Sequence, residues 1–409
     1  MLNEFIPHWS DASPGASWDL SLPNRIVFGW GRRREIGNLV RESGNAVVCV
    51  YGSRSLARSG VTAELEDLLR ESGVTIAETL WISREPTVGD VDDAVRRLRG
   101  CGGTLPPTVL AFGGGAALDL AKAVAAMVPQ PRFETVRDYL EGVGQGFVIE
   151  ADPLPIFAVP TTAGTGSEAT KNAVIASYDP PFKKSLRDLR LVPRTVLLDP
   201  ELTVSCNAKI TAESGMDAIT QLFESYVSLR GDQKSPPFVQ ALCEQGLVMA
   251  WHSLAEAVKN PASQAAREKM TYAAFLSGVC LANGGLGMAH GVAPALGSIC
   301  GVTHGAACAL LLPITLRTNA EVCRREYARL ARLILATEKR NASDEFLVER
   351  LIDEVQNLCH TVGVARKLTD LGVTAGQIPK IAAHSFGASM HTNPRTLTQE
   401  ELVAILLDA

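Results

Sequence analysis

An aspartate, two histidines and a glutamine set the chemical question in this 409-residue chain. Asp217 opens the run Asp217-Ala-Ile-Thr-Gln221, so positions 217 and 221 stand four apart on one helix face. His290 and His304 bracket the small-residue segment HGVAPALGSICGVTH, which can bring two imidazoles to one point. A carboxylate with two histidines is a common catalytic set for a divalent metal with one coordination position open. Gln221 stands where a fourth ligand is expected, and its amide oxygen is a poor ligand for zinc or iron. Asp217, His290 and His304 are therefore the candidate metal ligands, with Gln221 as a weak fourth.

These residues fall in the second half of a chain whose two halves differ in pattern. Short apolar strands at Asn45–Tyr51, Val74–Ile82, Thr108–Phe112, Pro153–Pro160 and Thr195–Asp199 alternate with helix-period stretches over 56–72 and 88–99. Strands alternating with helices predict βαβ units and a parallel sheet. Beyond about residue 210 the periodicity is helical: 217–229, 239–259, 263–282, 321–336 and 343–362. The turn at Asp199-Pro200 marks the change, and a surface loop is expected over 143–155. The predicted architecture is an α/β domain with a parallel sheet over 1–205 and an all-α domain over 206–409.

Two small-residue loops follow strands in the α/β half. Gly113-Gly114-Gly115 ends a strand and opens a helix carrying Asp119 and Lys122. Consecutive glycines let backbone N–H groups approach a phosphate, and the helix N-terminus favours its charge. The run is neither GxGxxG nor a Walker loop, and a tight turn without a ligand would look the same. Asp119 and Lys122 would by themselves read as a solvated ion pair. The second loop, Pro160-Thr-Thr-Ala-Gly-Thr-Gly-Ser-Glu168, offers hydroxyls suited to a ribose, a pyrophosphate or a nicotinamide amide.

Bulk composition removes several function classes. The net charge of −5 comes without a basic stripe for nucleic acid or an anionic membrane. No apolar run approaches the roughly 18–20 residues needed to span a bilayer. The first residues lack the basic and apolar regions of a signal peptide. Nine scattered cysteines without CxxC pairs fit reduced thiols, so a cytoplasmic protein is expected. Cys280, Cys300 and Cys308 lie in apolar surroundings and read as buried spectators, or as sites of oxidative inactivation if beside a metal.

Taken in order, the motifs resemble the iron-containing alcohol dehydrogenase family of the dehydroquinate synthase-like superfamily. The resemblance is carried by Phe28-Gly-Trp-Gly31, GGGAALDLAK at 113–122, PTTAGTGSEAT at 160–170 and Leu198-Asp-Pro-Glu-Leu-Thr203. It continues through Met216-Asp-Ala-Ile-Thr220, GLGMAHGVAPALG at 285–297, Gly301-Val-Thr-His-Gly305 and Thr392-Asn-Pro-Arg395. It implies an N-terminal dinucleotide-binding domain, a helical metal and substrate domain, and an active site in the interdomain cleft. It also implies NAD(P)-dependent interconversion of an alcohol with an aldehyde or ketone.

By motif, Gly114, Gly115 and Asp119 would hold the pyrophosphate, with Lys122 on the same helix. Thr161, Thr162, Thr165 and Ser167 would line the ribose and nicotinamide side, and Lys183 would lie by the cofactor as a candidate catalytic cation. Ser53 stands where many NAD-using members carry an aspartate, and Arg54 offers a cation to a 2′-phosphate, which favours NADP over NAD. Two departures from the family stand out: Gln221 replaces a histidine ligand, and Pro294 replaces a histidine credited with a role beside the substrate. Zinc or iron at Asp217, His290 and His304 is the leading expectation. Against it stand a metal-free reductase using Lys183 or a histidine, and a non-catalytic dinucleotide-binding protein. A dehydroquinate-synthase-like cyclase or lyase is the rival from another reaction class. The basic stretch from Lys183 to Arg190 keeps a phosphorylated or phosphonate substrate open. A homodimer is the expected assembly.

Overall fold

The computed structural model describes residues 17–52, 54–100, 106–231, 233–335 and 342–409, without the side chains of residues 54 and 55. The chain divides into two compact units, Ser21–Ser205 and Cys206–Ala409, with residues 17–20 grouped in the second.

The first unit is built on β1 (Arg25–Phe28), β2 (Ala46–Tyr51), β3 (Thr75–Trp81), β4 (Val109–Gly113), β5 (Ile156–Pro160) and, after a separate hairpin, β8 (Thr195–Leu198). They form a six-stranded sheet in the order β1-β8-β5-β4-β2-β3. Every pairing in it is parallel. Strands β4, β5 and β8 are buried along their whole length, as strands covered on both faces must be. Helices α1 (Ile36–Arg41), α2 (Arg54–Arg58), α3 (Val61–Glu71), α4 (Val88–Gly100) and α5 (Gly115–Met127) accompany the strands. The chain steps outward from β2 to β3, then returns to β4 on the other side of β2. That reversal is a topological switch point, where open α/β sheets bind ligands beyond the strands' carboxyl ends.

Several details depart from the sequence reading. The expected helix over 56–72 is broken at Gly60, whose φ of 80° ends one helix and begins the next. An antiparallel hairpin of β6 (Asn172–Tyr178) and β7 (Pro181–Arg187) adds two strands where no element was expected. Two recurring motifs prove to be one structural feature: the Gly31 and Arg33 amides donate to the buried Asp199 carboxylate at 2.8 and 3.0 Å. That contact joins the end of β1 to the end of β8.

The second unit is helical. Its central element, α6 (Ala208–Val227), is buried around nearly its whole circumference over its C-terminal half. Asn207 caps it, accepting from the Ile210 amide at 2.8 Å. Around it pack α7 (Pro237–Trp251), α8 (Leu254–Lys259), α9 (Gln264–Asn283) and, beyond α10 (Met288–Cys300), α11 (His304–Asn319). The expected single stretch over 239–259 is divided between α7 and α8 by a turn at His252–Ser253. Helices α12 (Arg324–Ile334), α13 (Asp344–Val362), α14 (Ile378–Ala383), α15 (Ala388–His391) and α16 (Gln399–Leu407) complete the unit. No single helix among the described residues is long and apolar enough to cross a membrane.

Candidate active site

Three helices bring the predicted ligands together. Asp217 lies on α6, His290 in the first turn of α10, and His304 opens α11. The His290 Nε2 is 3.2 Å from the Asp217 Oδ1, and the His304 Nε2 is 3.7 Å from the same oxygen. The two imidazole centroids are 5.3 Å apart. A close backbone contact carries His304 toward Asp217. A Cβ at Gly305 would lie 2.6 Å from the Glu213 carbonyl oxygen, so only glycine lets α11 begin this close to α6.

A fourth donor, unassigned from sequence, completes the group. The Cys308 thiol is 3.6 Å from the His290 Nε2 and 3.6 Å from the His304 Nε2. One ligand atom from each of Asp217, His290, His304 and Cys308 lies within 4.8 Å of the others. Cys308 is buried as expected, and its thiol stands beside both imidazoles. Its signal in the sequence was the spacing of four from His304, one helical turn. Carboxylate, imidazole and thiol are donors that suit zinc or ferrous iron, so the residues present fit the metal that the motifs imply.

Glu224 is the other residue that sequence reasoning missed. It stands seven residues after Asp217, two turns along the same helix. Its carboxylate takes the His290 Nδ1 at 2.6 Å and the Ala289 amide at 2.6 Å. The Asn393 side-chain oxygen accepts the adjacent Met288 amide at 3.1 Å. The first-turn N–H groups of α10, which have no partner within the helix, are thereby satisfied by Glu224 and by the Asn-Pro-Arg motif. With Nδ1 held by Glu224, the Nε2 of His290 is turned toward Asp217. This is the carboxylate–histidine arrangement that fixes the tautomer of a metal ligand.

Electrostatics follow from burial. Burial by itself raises the Asp217 carboxyl, but the His304 and His290 imidazoles outweigh it and hold the group below its ordinary value. For His290 burial works against the charged form, yet the negative groups around it raise the imidazole well above its ordinary value. Burial pushes the Cys308 thiol up to about 12, so in the protein alone it is neutral. The charge favouring imidazolium is therefore that of Glu224 and Asp217 and not of a thiolate. Two buried carboxylates need a cation beside them, and in the protein alone the His290 imidazolium supplies it.

Gln221 sits one turn beyond Asp217, and its Oε1, the atom a metal would take, accepts the Ser277 hydroxyl at 2.7 Å. Pro294 lies inside α10 and has no N–H to give the His290 carbonyl four residues earlier.

In the α/β unit the two glycine-bearing loops pack against each other at the carboxyl ends of β4 and β5. The Thr161 amide donates to the Gly113 carbonyl at 3.0 Å. A Cβ at Gly114 would lie 3.3 Å from the Thr162 hydroxyl, and one at Gly115 would meet Thr165 at 2.9 Å. The expected cradle residues Gly114, Gly115, Thr162 and Thr165 are thus contiguous, at the amino end of α5.

Asp119, Lys122 and Ser167 have different work. The Asp119 carboxylate accepts from the Ser167 hydroxyl at 2.7 Å and the Val174 amide at 3.2 Å. Lys122 is fully buried, and its ammonium reaches five oxygens of Ser167, Thr170 and Asn172. It is therefore not a solvated ion pair. It staples α5 to the end of the second loop and to the segment that follows it. Burial lowers its ammonium to about 8.

Lys183 lies on β7 and pairs with Glu85. Arg187 pairs with Glu141 at 3.1 Å, and Arg190 with Asp188 at 2.8 Å. Three cations of the basic stretch, Lys183, Arg187 and Arg190, thus face carboxylates. Ser53 lies outside the described residues, and Arg54 opens α2.

Comparison with known proteins gives a consistent result. The model of the Fe-containing alcohol dehydrogenase family, C-terminal, matches residues 211–409, and that of iron-containing alcohol dehydrogenase matches 23–200. Probable alcohol dehydrogenase EutG of Escherichia coli K12 is 34% identical, over 94% of this chain and 93% of that protein. An NADPH-dependent butanol dehydrogenase of Clostridium saccharobutylicum is 28% identical, over 94% and 96% respectively. A solved 1,3-propanediol oxidoreductase matches with a TM-score of 0.88 at 28% identity, covering 96% of this chain and 100% of that one.

Proposed function

Because the chain belongs to the iron-containing alcohol dehydrogenase family, and is an NAD(P)-dependent oxidoreductase interconverting alcohols and aldehydes, we propose that its metal centre is built on Asp217, His290 and His304. The observation that carries this is the convergence of the three ligands on one buried point, with Glu224 orienting His290. A divalent ion, zinc or iron, supplies the Lewis acidity that stabilises negative charge on the substrate oxygen. His290 and Asp217 are held rigidly by the helices that carry them. Glu224 keeps the histidine in the tautomer that leaves Nε2 free to ligate. Substrates are small alcohols and aldehydes, and a phosphorylated or phosphonate one would meet a basic stretch whose Lys183, Arg187 and Arg190 already face carboxylates.

On the dinucleotide side, the amides of Gly114 and Gly115 at the amino end of α5 receive the pyrophosphate. Thr161, Thr162 and Thr165 serve the ribose and nicotinamide. Asp119, Lys122 and Ser167 act on the cofactor only by holding this shelf in place. Lys183, paired with Glu85, is a positioning group near the loop and not an oxyanion donor. Ser53 in place of a carboxylate, followed by Arg54, favours NADP over NAD. Arg54→Ala is expected to weaken NADPH about tenfold or more while sparing NADH, since a charge-assisted pair with the 2′-phosphate contributes roughly 1.5–3 kcal/mol. Fluorescence titration with both cofactors reads this, and equal weakening would remove the argument for NADP.

The reading extends to a cytoplasmic homodimer. The eight cysteines among the described residues are free thiols, which suits a reducing compartment, and a two-fold pair is the commonest soluble assembly. The test of the metal centre is elemental mass spectrometry on protein purified without chelator or histidine tag. Near-stoichiometric zinc or iron is expected. Protein that stays metal-free after incubation with both ions would overturn the proposal.

A further inference from the structure

We propose that Cys308 is itself a metal ligand, giving an Asp217–His290–His304–Cys308 set that prefers zinc to iron. This rests on the metal reading above and goes beyond it in naming a ligand and a selectivity. Position 221, one turn beyond Asp217, carries an amide whose oxygen is engaged by Ser277. The α6 helix therefore offers one good ligand, and the donor that makes up the number comes from α11. Cys308 follows His304 by one turn, so one helix presents an imidazole and a thiol to the same point.

The distances agree with coordination. Zinc–nitrogen bonds of about 2.0–2.1 Å and zinc–sulfur bonds of about 2.3 Å put tetrahedral nitrogen and sulfur donors about 3.6 Å apart. Cys308 lies 3.6 Å from both imidazole nitrogens. Nitrogen and oxygen donors with bonds of about 2.0–2.2 Å would stand about 3.4 Å apart. The two histidine–aspartate separations, 3.2 and 3.7 Å, bracket that value. The same 3.6 Å also suits a thiol hydrogen-bonded to imidazole, so the spacing permits coordination and the spectroscopic signature of a metal–sulfur bond decides it.

The chemistry is balanced without a redox partner. On binding, the thiol proton and the proton on the His290 Nε2 would both leave to solvent, and a lone pair of each freed atom would form a bond to the ion. Thiolate is a soft donor, and replacing a neutral nitrogen or amide by it shifts preference toward zinc and cobalt. Asp217, His290, His304 and Cys308 would hold the ion, and the ion would supply Lewis acidity toward a substrate oxygen.

Cobalt(II) titration of the demetallated full chain tests this, because thiolate bound to cobalt gives a charge-transfer band in the near ultraviolet that imidazole and carboxylate do not. The wild type should take up about one equivalent and show the band. Cys308→Ser and Cys308→Ala, checked for native circular dichroism, should lose the band while still binding cobalt more weakly. Cobalt bound by the wild type without that band, or a band that persists in both variants, would overturn the assignment and leave the three-ligand centre standing. If the wild type binds no cobalt or zinc at all, the metal reading fails and the ligand assignment with it.

Discussion

Asp217→Asn lowers kcat by about 10³-fold or more and leaves dinucleotide binding near its wild-type strength. Asparagine has nearly the same shape and keeps one oxygen, so the packing of α6 is preserved. What is lost is the negative charge that both imidazoles face, at 3.2 and 3.7 Å. A metal acting as Lewis acid supplies several kcal/mol of transition-state stabilisation, and about 1.4 kcal/mol is a factor of ten in rate. Removing the one anionic oxygen ligand therefore costs at least about three such factors. Steady-state kinetics, elemental analysis and a cofactor fluorescence titration on the same preparation check the claim. Turnover within a few-fold of wild type would rule out metal-assisted chemistry at this site.

The second large effect is on stability and lies in the other unit. Lys122→Met destabilises the α/β unit by about 3–5 kcal/mol, the range for removing one partner from a buried charged network. Methionine matches the stem of lysine and adds no volume problem. The cost arises because the oxygens of Ser167, Thr170 and Asn172 stay behind without their donor in a buried place. Swapping both partners for apolar groups can be neutral, but backbone carbonyls cannot be swapped. With roughly 2–4 °C per kcal/mol for a unit of this size, the expected drop in Tm is about 10 °C. Thermal denaturation of the apo protein measures it. A variant with unchanged Tm but greatly weakened cofactor would return Lys122 to the phosphate.

Why some of this was legible and some not can be argued from particular residues. The glycine loop was legible because the apolar run at 108–112 ends abruptly in three glycines, and a strand followed by a helix leaves few ways to arrange them. Asp217, His290 and His304 were found as chemistry, but the helices carrying the two histidines were not. Pro294 and Pro313 lie inside α10 and α11, and the small residues around them blur the helical period. Glu224 was hidden because a glutamate two turns along an amphipathic stretch looks like a solvated side chain. Only the fold shows that α10 begins over it. Lys122 failed for the opposite reason. Its spacing from Asp119 suggested an exposed pair, whereas both face a segment some 50 residues later in the chain. Burial of a charge depends on what arrives from elsewhere, and local pattern does not report that. Cys308 was visible as a spacing, but spacing alone does not separate a ligand from a packed thiol.

The contact of Gly305 with the Glu213 carbonyl has a consequence for how an ion would be acquired. The close approach of α11 to α6, which carries His304 toward Asp217, is a contact of two backbones. The entropy of bringing the ligands together has already been lost when the helical unit folds, so little of the ion's binding energy is spent on ordering. Affinity is then tied to helix packing. A substitution far from the ligands that loosens α11 against α6 would weaken metal binding in proportion, and the bound ion would in turn hold those two helices together against unfolding.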